Sequence, residues 1–245
     1  EILHGRPVRY SYMNGGSGGG RQSLAEAQFY PNDYDGIWAS CPAINWTQFL
    51  ASGLWAVTVM NEYDHILGFH KINAFRDAVH NSVGGKENYF QVEERIDFDP
   101  YTILGQKTKG GKITEKDCLV MQEIWKGPHT TGNDFLWYSF LPGGTFWNKI
   151  IPIGSFYYPL IGKRPKCFSL VEQYVHLAFE DPKKDLLHLK IRDFEKVFDT
   201  CIRKLGWLSC DHADLRPFAN AGGKLIIDHG LDDPLIPVEG TIDYY

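Results

Sequence analysis

The chain has 245 residues, of which 43% are hydrophobic and 22% are charged, a composition typical of a globular protein with a substantial core. Its formal net charge is −5, which excludes the basic surface that nucleic-acid binding requires. The sequence has no long apolar run, and this excludes a membrane-spanning helix.

The start of the chain predicts a strand, a helix and a second strand. Residues 8–14 predict the first strand, residues 21–30 the helix, and residues 36–40 the second strand. Two strands joined in this way form a βαβ unit, in which the strands are parallel and the crossover is right-handed. This order predicts an α/β fold.

A glycine-rich turn joins the first strand to the helix, with the sequence Gly15-Gly16-Ser17-Gly18-Gly19. The G-x-S-x-G pattern is typical of α/β-hydrolases, in which a nucleophilic serine occupies a sharp strand-to-helix turn. Small residues are needed there because the turn crowds the backbone. A flexible linker is the alternative, but the residues before Ser17 are too few to form a domain. We predict Ser17 as the nucleophile and the backbone N–H of Gly18 as one oxyanion donor.

The middle region, residues 46–215, lacks the βαβ rhythm. Thr114 begins a capping box for a helix that ends at Gly127, and residues 194–205 have helical apolar spacing up to Gly206. Loops anchored by buried aromatic side chains are one interpretation of the segment between these helices. A pocket for a flat, mostly apolar ligand is the other, and both can hold. The aromatic residues of this segment are Phe135, Trp137, Tyr138, Phe140, Phe146, Trp147, Phe156, Tyr157 and Tyr158.

The end of the chain returns to βα character. Residues 224–228 predict a strand and residues 240–245 a helix. Asp228, Asp232 and Asp233 lie at or just beyond the end of this strand, where active sites form in parallel sheets. A solvated turn carboxylate or a helix N-cap is the alternative interpretation. Asp232 or Asp233 is therefore the candidate acid that would orient a catalytic base.

The simplest architecture is an α/β core, formed by residues 1–45 and 216–245, that is interrupted by the insertion of residues 46–215. A serine nucleophile needs a base, and in α/β-hydrolases the chain order is serine, acid, histidine. All nine histidines precede Asp233. We expect a chain cut before its histidine, since a base from the insertion would break this order. The first residue is not Met and no signal peptide is evident, which also favours a processed chain or a fragment.

Cysteine usage gives no metal motif. The number of cysteines is five, so at least one has no partner within the chain, and no C-x-x-C pair exists that would indicate zinc. The triplet Asn45-Trp46-Thr47 would permit glycosylation in a secreted protein, and a chance triplet is an equal alternative. The cysteines are Cys41, Cys118, Cys167, Cys201 and Cys210.

Collinear segments over nearly the whole chain resemble the tannase/feruloyl esterase family. The resemblance implies secreted esterases, largely fungal or bacterial, that cleave esters of aromatic acids. It implies an α/β-hydrolase fold with a large lid domain over the serine, so that residues 46–215 would form the lid. We expect this lid to lack most of the cysteine cross-links that stiffen it in the family. The matching segments are 11–22, 26–37, 42–46, 54–55, 60–61, 98–100, 127–128, 136–138, 221–226, 229–237 and 240–245.

The resemblance carries the catalytic serine over to Ser17 and the acid to Asp233 rather than Asp232. Two departures stand out. The family has a disulfide-bonded cysteine immediately before the serine, and this chain has Gly16. The family's lid calcium loop corresponds to residues 79–88, in which Glu87 supplies the one carboxylate. Calcium prefers several oxygen ligands, so we expect weak calcium binding or none, and no other metal or cofactor.

These observations predict a carboxylic ester hydrolase that acts through an acyl-enzyme on small aromatic, feruloyl- or galloyl-type esters, without a nucleic-acid or membrane partner. Without its base the chain is expected to be poor or inactive, since such a loss costs about a million-fold in a serine protease. A non-catalytic binding protein that retains the lid pocket is the alternative. A lipase-like hydrolase of aliphatic esters is a third interpretation.

Overall fold

The computed structural model describes most of the chain at the level of side chains and two short strands at the level of the backbone. Residues with described side chains are 5–83, 96–139, 141–144, 168–233 and 235–245, and residues with a described backbone alone are 156–157 and 165–166.

The described part of the chain contains short strands, α-helices and 3₁₀ turns. The strands are β1 (Tyr12–Gly16), β2 (Gly36–Ser40), β3 (Lys107–Thr108), β4 (Gly111–Lys112), β5 (Phe156–Tyr157), β6 (Pro165–Lys166) and β7 (Lys224–Asp228). The α-helices are α1 (Gly18–Phe29), α2 (Trp46–Ser52), α3 (Trp55–Glu62), α4 (Phe69–Ser82), α5 (Glu115–Lys126), α6 (Ser169–Phe179), α7 (Ile191–Leu205), α8 (Arg216–Asn220) and α9 (Glu239–Tyr244). Among the described residues, 3₁₀ turns cover Pro100–Ile103 and Gly206–Leu208.

The chain divides into two compact units. The sheet unit consists of Glu1–Trp46, Trp207–Leu231 and Val238–Tyr245. The helical unit consists of Thr47–Gly206 and Asp232–Pro237. The division differs from the predicted boundaries, which gave residues 207–215 to the insertion and residues 232–237 to the core.

Hydrogen bonds explain why the segment after α7 belongs to the sheet unit. The Arg21 guanidinium donates to the carbonyl of Leu208 at 3.0 Å, and the Gln28 amide donates to the carbonyl of Cys210 at 2.8 Å. The backbone N–H of Asn45 donates to the carbonyl of Ser209 at 3.1 Å. The assignment of the helical unit as a lid stays a prediction.

A parallel sheet forms the centre of the sheet unit. Among the described residues its strand order is β1-β2-β7, with β2 in the middle. The register aligns Gly16 with Ser40 and Ser40 with Asp228, so the three strands end at the same level. The parallel α/β core predicted from the sequence is confirmed.

One face of this sheet is covered and the other is open. The helix α1 packs on the covered face, where Leu24 and Ala27 contact the buried β2 side chains Ala39 and Ile37, respectively. On the open face Tyr12 is 72% exposed, Trp38 48% and Ile226 62%. The strands therefore alternate between buried and exposed positions, unlike parallel strands that are covered on both faces.

The first strand and the first helix begin at residues that differ from the predicted ones. The first strand covers Tyr12–Gly16 instead of residues 8–14. The parallel ladder starts only where Tyr12 pairs with Gly36, and Ser11 is bound to the loop before β2 through the Asp35 carboxylate at 2.7 Å. The first helix begins at Gly18 instead of residue 21. By contrast, β2 and β7 have the predicted bounds.

Buried aromatic side chains join three helices of the helical unit. Trp55 on α3 is 2% exposed and its indole N–H donates to the carbonyl of Glu123 on α5 at 2.9 Å. Its ring meets that of Phe194 on α7 edge to face at 5.0 Å. These contacts form around the predicted helices: α5 has the capping box at Thr114, and α7 ends before Gly206.

A buried carboxylate links α4 to the start of α5. Asp117 is fully buried and accepts hydrogen bonds from Lys71 at 2.5 Å, from His65 at 2.8 Å and from the Thr114 hydroxyl and N–H at 2.7 Å. Burial alone would raise its pKa, but these hydrogen bonds hold the pKa of Asp117 below its usual value. The charged form of Asp117 is therefore part of the folded helical unit.

Four cysteines in the described part of the chain, Cys41, Cys118, Cys201 and Cys210, carry free thiols, so the disulfide bonds that the resemblance implies are not shown here. Cys118 and Cys201 are fully buried on different helices, and burial raises the pKa of these thiols to about 11 and about 12, respectively. Cys167 lies outside the described residues. None of the helices in the described part combines the length and apolar character that crossing a bilayer demands.

Candidate active site

Ser17 occupies the sharp turn between β1 and α1. Its backbone has φ 56° and ψ −121°, in the left-handed region that side chains rarely adopt. Three hydrogen bonds hold this conformation: the Ser17 N–H donates to the carbonyl of Ser40, and the Ser17 carbonyl accepts from Arg21 and Ala43, all at 3.0 Å. The residue is exposed. A strained, hydrogen-bonded and exposed serine at a strand end is the arrangement that the G-x-S-x-G pattern predicts.

Two glycines near Ser17 are required by packing. A Cβ on Gly15 would lie 2.3 Å from the carbonyl oxygen of Gly19, and a Cβ on Gly20 would lie 2.8 Å from the Cα of Pro42. Both neighbours are backbone atoms that cannot rotate away. The glycines therefore let α1 approach β1 and the loop after β2, which is what makes the turn tight.

The helix that follows Ser17 starts with unpaired backbone donors. Gly18 is the first residue of α1, and the first N–H groups of any helix have no partner within it. The first turn of α1 contains no acidic residue, and the Ser17 side chain makes no capping hydrogen bond. The positive end of the helix dipole thus adjoins Ser17, which suits a developing oxyanion. Gly18 as the oxyanion donor stays a prediction.

Asp228 is bound within the sheet unit. Its carboxylate accepts hydrogen bonds from the Trp38 indole N–H and from the Ser40 hydroxyl, the latter at 2.9 Å. These two hydrogen bonds lower the pKa of Asp228. The charged carboxylate of Asp228 is therefore engaged in hydrogen bonds to Trp38 and Ser40 on the open face of the sheet.

Asp233, the predicted catalytic acid, lies in the helical unit, whereas Ser17 lies in the sheet unit. One Asp233 carboxylate oxygen accepts the N–H groups of Leu235 at 2.8 Å and Ile236 at 2.9 Å, so the side chain closes its own turn. Asp232 is exposed. The choice of Asp233 over Asp232 stays a prediction, as does its partnership with Ser17.

A thiol and an imidazole meet at the edge of the sheet where β2 and β7 end. Cys41 follows β2, His229 follows β7, and the Cys41 sulfur lies within 4.8 Å of a ring nitrogen of His229. The Nδ1 of His229 is hydrogen-bonded to the Thr241 hydroxyl at 2.7 Å. We did not predict this pair. The signal in the sequence is that each residue directly follows a predicted parallel strand.

The helical unit contains a cavity of about 690 Å³. Phe98 and Trp125 line it, with their rings edge to face at 6.1 Å, together with Asp97, Gln122 and Lys126. The predicted aromatic segment contributes none of its described residues to the lining, and its members from Phe140 onward lie outside the residues with described side chains. The calcium-loop prediction falls partly outside as well, since residues 84–88 are not described.

Comparisons with known proteins give a consistent result. Residues 1–135 match the family model described as tannase and feruloyl esterase. The chain is 31% identical over 264 aligned positions to a probable feruloyl esterase of Arthroderma benhamiae, covering all of this chain and 47% of that protein. It is 25% identical over 243 positions to feruloyl esterase C of Talaromyces stipitatus, covering 96% of this chain and 44% of that protein.

Two solved structures share the fold. Tannin acyl hydrolase from Aspergillus niger superposes with a TM-score of 0.76 at 22% identity, over 99% of this chain and 47% of its own. Feruloyl esterase B from Aspergillus oryzae superposes with a TM-score of 0.74 at 20% identity, over 97% and 47%. The chain spans about half the length of the curated relatives that it matches.

Proposed function

The chain belongs to the tannase and feruloyl esterase family, and from this premise we propose that it carries the nucleophile of a carboxylic ester hydrolase. The observation that supports this most strongly is the backbone of Ser17, with φ 56° in a turn between a parallel strand and a helix. Such strain is retained where function uses it, and an exposed hydroxyl at this position can approach a carbonyl carbon.

The proposed reaction is acyl transfer through Ser17. Its oxygen attacks the ester carbonyl while an imidazole base takes the hydroxyl proton, and the N–H of Gly18 binds the oxyanion. The base then gives the proton to the leaving alcohol, and water releases the acid from the acyl-enzyme in a second step. Asp233 would orient the imidazole. No histidine follows Asp233 in these 245 residues, so we assign the base to no residue of this chain.

We propose aromatic esters of the feruloyl or galloyl type as substrates. Relatives named as probable feruloyl esterase and as tannin acyl hydrolase support this class. A cavity lined by Phe98 and Trp125 in the helical unit supports an aromatic ligand as well. We further propose that the protein is secreted, as the family resemblance implies. We also propose weak calcium binding or none at residues 79–88, because Glu87 supplies the one carboxylate in that stretch.

The second candidate function is that of a non-catalytic binding protein. Gly16 stands where the family resemblance expects a cysteine. A protein of this kind would keep the aromatic cavity and bind a phenolic acid without cleaving an ester.

The test is acylation of Ser17 by an activated phenyl ester. The chain would be incubated with the nitrophenyl ester of ferulic acid, with and without added imidazole, which can replace an absent base. Nitrophenol release and intact mass would be followed together. We expect an acyl adduct on the Ser17 peptide that increases with imidazole and disappears in Ser17→Ala.

Ser169→Ala is the matched control, since Ser169 is an exposed serine at the start of α6 in the helical unit. It should acylate like the wild type. Equal nitrophenol release by wild type and Ser17→Ala, or an adduct on another residue, would overturn the esterase proposal. Saturable binding of ferulate without any adduct would support the binding protein instead.

A further inference from the structure

We propose that Asn45 is a positioning residue for Ser17. Its side chain anchors the loop after β2, residues 41–45, and this loop holds the strained turn of the nucleophile. The role rests on the proposed ester hydrolysis, and the sequence singled out Asn45 only as the first residue of a glycosylation triplet. All the contacts that carry the inference lie within the sheet unit.

The loop after β2 holds Ser17 from outside the helix that Ser17 precedes. The N–H of Ala43 donates to the Ser17 carbonyl at 3.0 Å, and the Ser17 N–H donates to the carbonyl of Ser40, the last residue of β2, at 3.0 Å. A backbone in a sparsely populated region persists only where the surrounding structure over-determines it. The position of this loop is therefore part of what keeps Ser17 at φ 56°.

Asn45 fixes the far end of the loop. Its side-chain Nδ2 donates to the carbonyl of Gly240 on α9 at 3.1 Å, and its backbone N–H donates to the carbonyl of Ser209 at 3.1 Å. The residue is only 8% exposed, so water cannot readily replace the side-chain bond once it is lost. Asn45 thereby ties the loop to two segments that are distant in the sequence.

The near end of the loop is fixed as well. The Cys41 N–H donates to the carbonyl of Asp228 at the end of β7 at 2.7 Å. Pro42 packs so closely on α1 that a Cβ on Gly20 would lie 2.8 Å from its Cα. With both ends of the loop held, the Ala43 N–H between them is directed at the Ser17 carbonyl by the fold.

Asparagine meets two requirements at this position. The backbone of Asn45 has φ 52°, in the left-handed region that asparagine adopts more readily than most residues. Glycine could adopt this conformation but could not donate to Gly240. Aspartate could adopt it too, but its carboxylate would face the Gly240 carbonyl oxygen, and neither group can donate.

The same hydrogen bond bears on the glycosylation triplet. A glycan would be attached to Nδ2 of Asn45, the atom that donates to Gly240 in the buried part of the sheet unit. The folded chain therefore has no room for a glycan there, and the triplet acts through its asparagine side chain alone.

The test compares Asn45→Gly and Asn45→Asp with the wild type in acylation by the nitrophenyl ester of ferulic acid with added imidazole. The rate constant at saturating ester and the final adduct per chain are measured separately. A variant that merely folds less well yields less adduct at an unchanged rate constant. We expect both variants to lower the rate constant about tenfold to a hundredfold, because Ser17 is misplaced, with the half-saturating ester concentration unchanged.

A second measurement needs no ester chemistry. Amide hydrogen exchange followed by NMR reports the Ala43 N–H that binds the Ser17 carbonyl. In Asn45→Gly this amide should exchange about tenfold faster than in the wild type, while the amides of β1 and β2 keep their rates. Asn45→Gly carries the test if Asn45→Asp fails to fold, since it introduces no buried charge.

Asn220→Asp is the matched control, because Asn220 is an exposed asparagine of the sheet unit at the end of α8. It should match the wild type in both measurements. An unchanged acylation rate constant or an unchanged Ala43 exchange rate in Asn45→Gly would overturn the proposal, as would a glycan on Asn45 in folded protein secreted by yeast. A wild type that forms no adduct refutes the ester hydrolysis instead, and the Ala43 exchange then decides whether Asn45 holds the Ser17 turn.

Discussion

Replacing Gly15 by alanine tests the tight turn around Ser17 most directly. The new Cβ would lie 2.3 Å from the carbonyl oxygen and 2.4 Å from the carbonyl carbon of Gly19. Both atoms belong to the first turn of α1, so relief requires the helix to move away from β1. Such a movement also displaces Ser17, which lies between the two elements.

The expected cost is that of severe overpacking against backbone. Overpacked cores lose about 1–3 kcal/mol, and a contact this short against rigid atoms lies at the upper end, about 3 kcal/mol. For a chain of this size that corresponds to a fall in melting temperature of about 6–12 °C. Gly19→Ala is the matched control, since a Cβ there meets nothing within 4 Å. Alanine in that helical position should stabilise the chain by about 0.5–1 kcal/mol.

Thermal unfolding and Ser17 acylation would be measured on both variants. Gly15→Ala should unfold at a lower temperature and lose acylation, whereas Gly19→Ala should unfold at or above the wild-type temperature. If Gly15→Ala were as stable as Gly19→Ala and still formed the adduct, the packing argument for the turn would be wrong.

Three further predictions concern the helical unit. Asp117→Asn should cost about 3 kcal/mol near neutral pH in urea unfolding, because Lys71 loses its buried carboxylate partner. The cost should shrink as pH falls below the usual carboxyl pKa of 3.8, since the lowered pKa of Asp117 stabilises the fold above that value and its contribution is lost as the folded carboxylate is protonated. Phe194→Ala should destabilise the chain by about 3–5 kcal/mol, because the ring is fully buried, and urea unfolding would show it. Cys118 and Cys201 should resist iodoacetamide in the folded chain at pH 8 and react in urea, as mass spectrometry of the peptides would report, because both thiols are buried with a raised pKa.

The sequence was sufficient for elements whose signals are local. The bounds of β2 and β7 follow from short apolar runs between turn residues, and the capping box at Thr114 sets the start of α5. The first strand was placed four residues too early because Val8 and Tyr10 have strand-like side chains. In the structure both are exposed, and the ladder continues into Gly15 and Gly16 instead.

Glycines misled the prediction because their roles here depend on distant contacts. Gly18, Gly19 and Gly20 have low helix propensity, yet all three lie in α1. Position 20 requires glycine because a Cβ there would lie 2.8 Å from the Cα of Pro42. Spacing within the helix does not reveal this contact. Packing between elements therefore decided where this helix begins.

The site was predictable in part. The G-x-S-x-G pattern predicts Ser17 in a strand-to-helix turn, and in the structure Ser17 lies between β1 and α1. The meeting of Cys41 and His229 depends on β2 and β7 being neighbours in the sheet. Those strands are separated by residues 41–223, so their pairing is invisible to any local pattern.

The interleaving of the two units bears on how the protein is made. The helical unit is one continuous stretch, Thr47–Gly206, apart from the short return of Asp232–Pro237, and it can begin to fold while synthesis continues. The parallel ladder must wait for β7, which follows the continuous helical stretch along the chain. The sheet that carries Ser17 is therefore completed only after the helical stretch has been synthesised, which makes its last strand pairing a contact between residues far apart in the sequence.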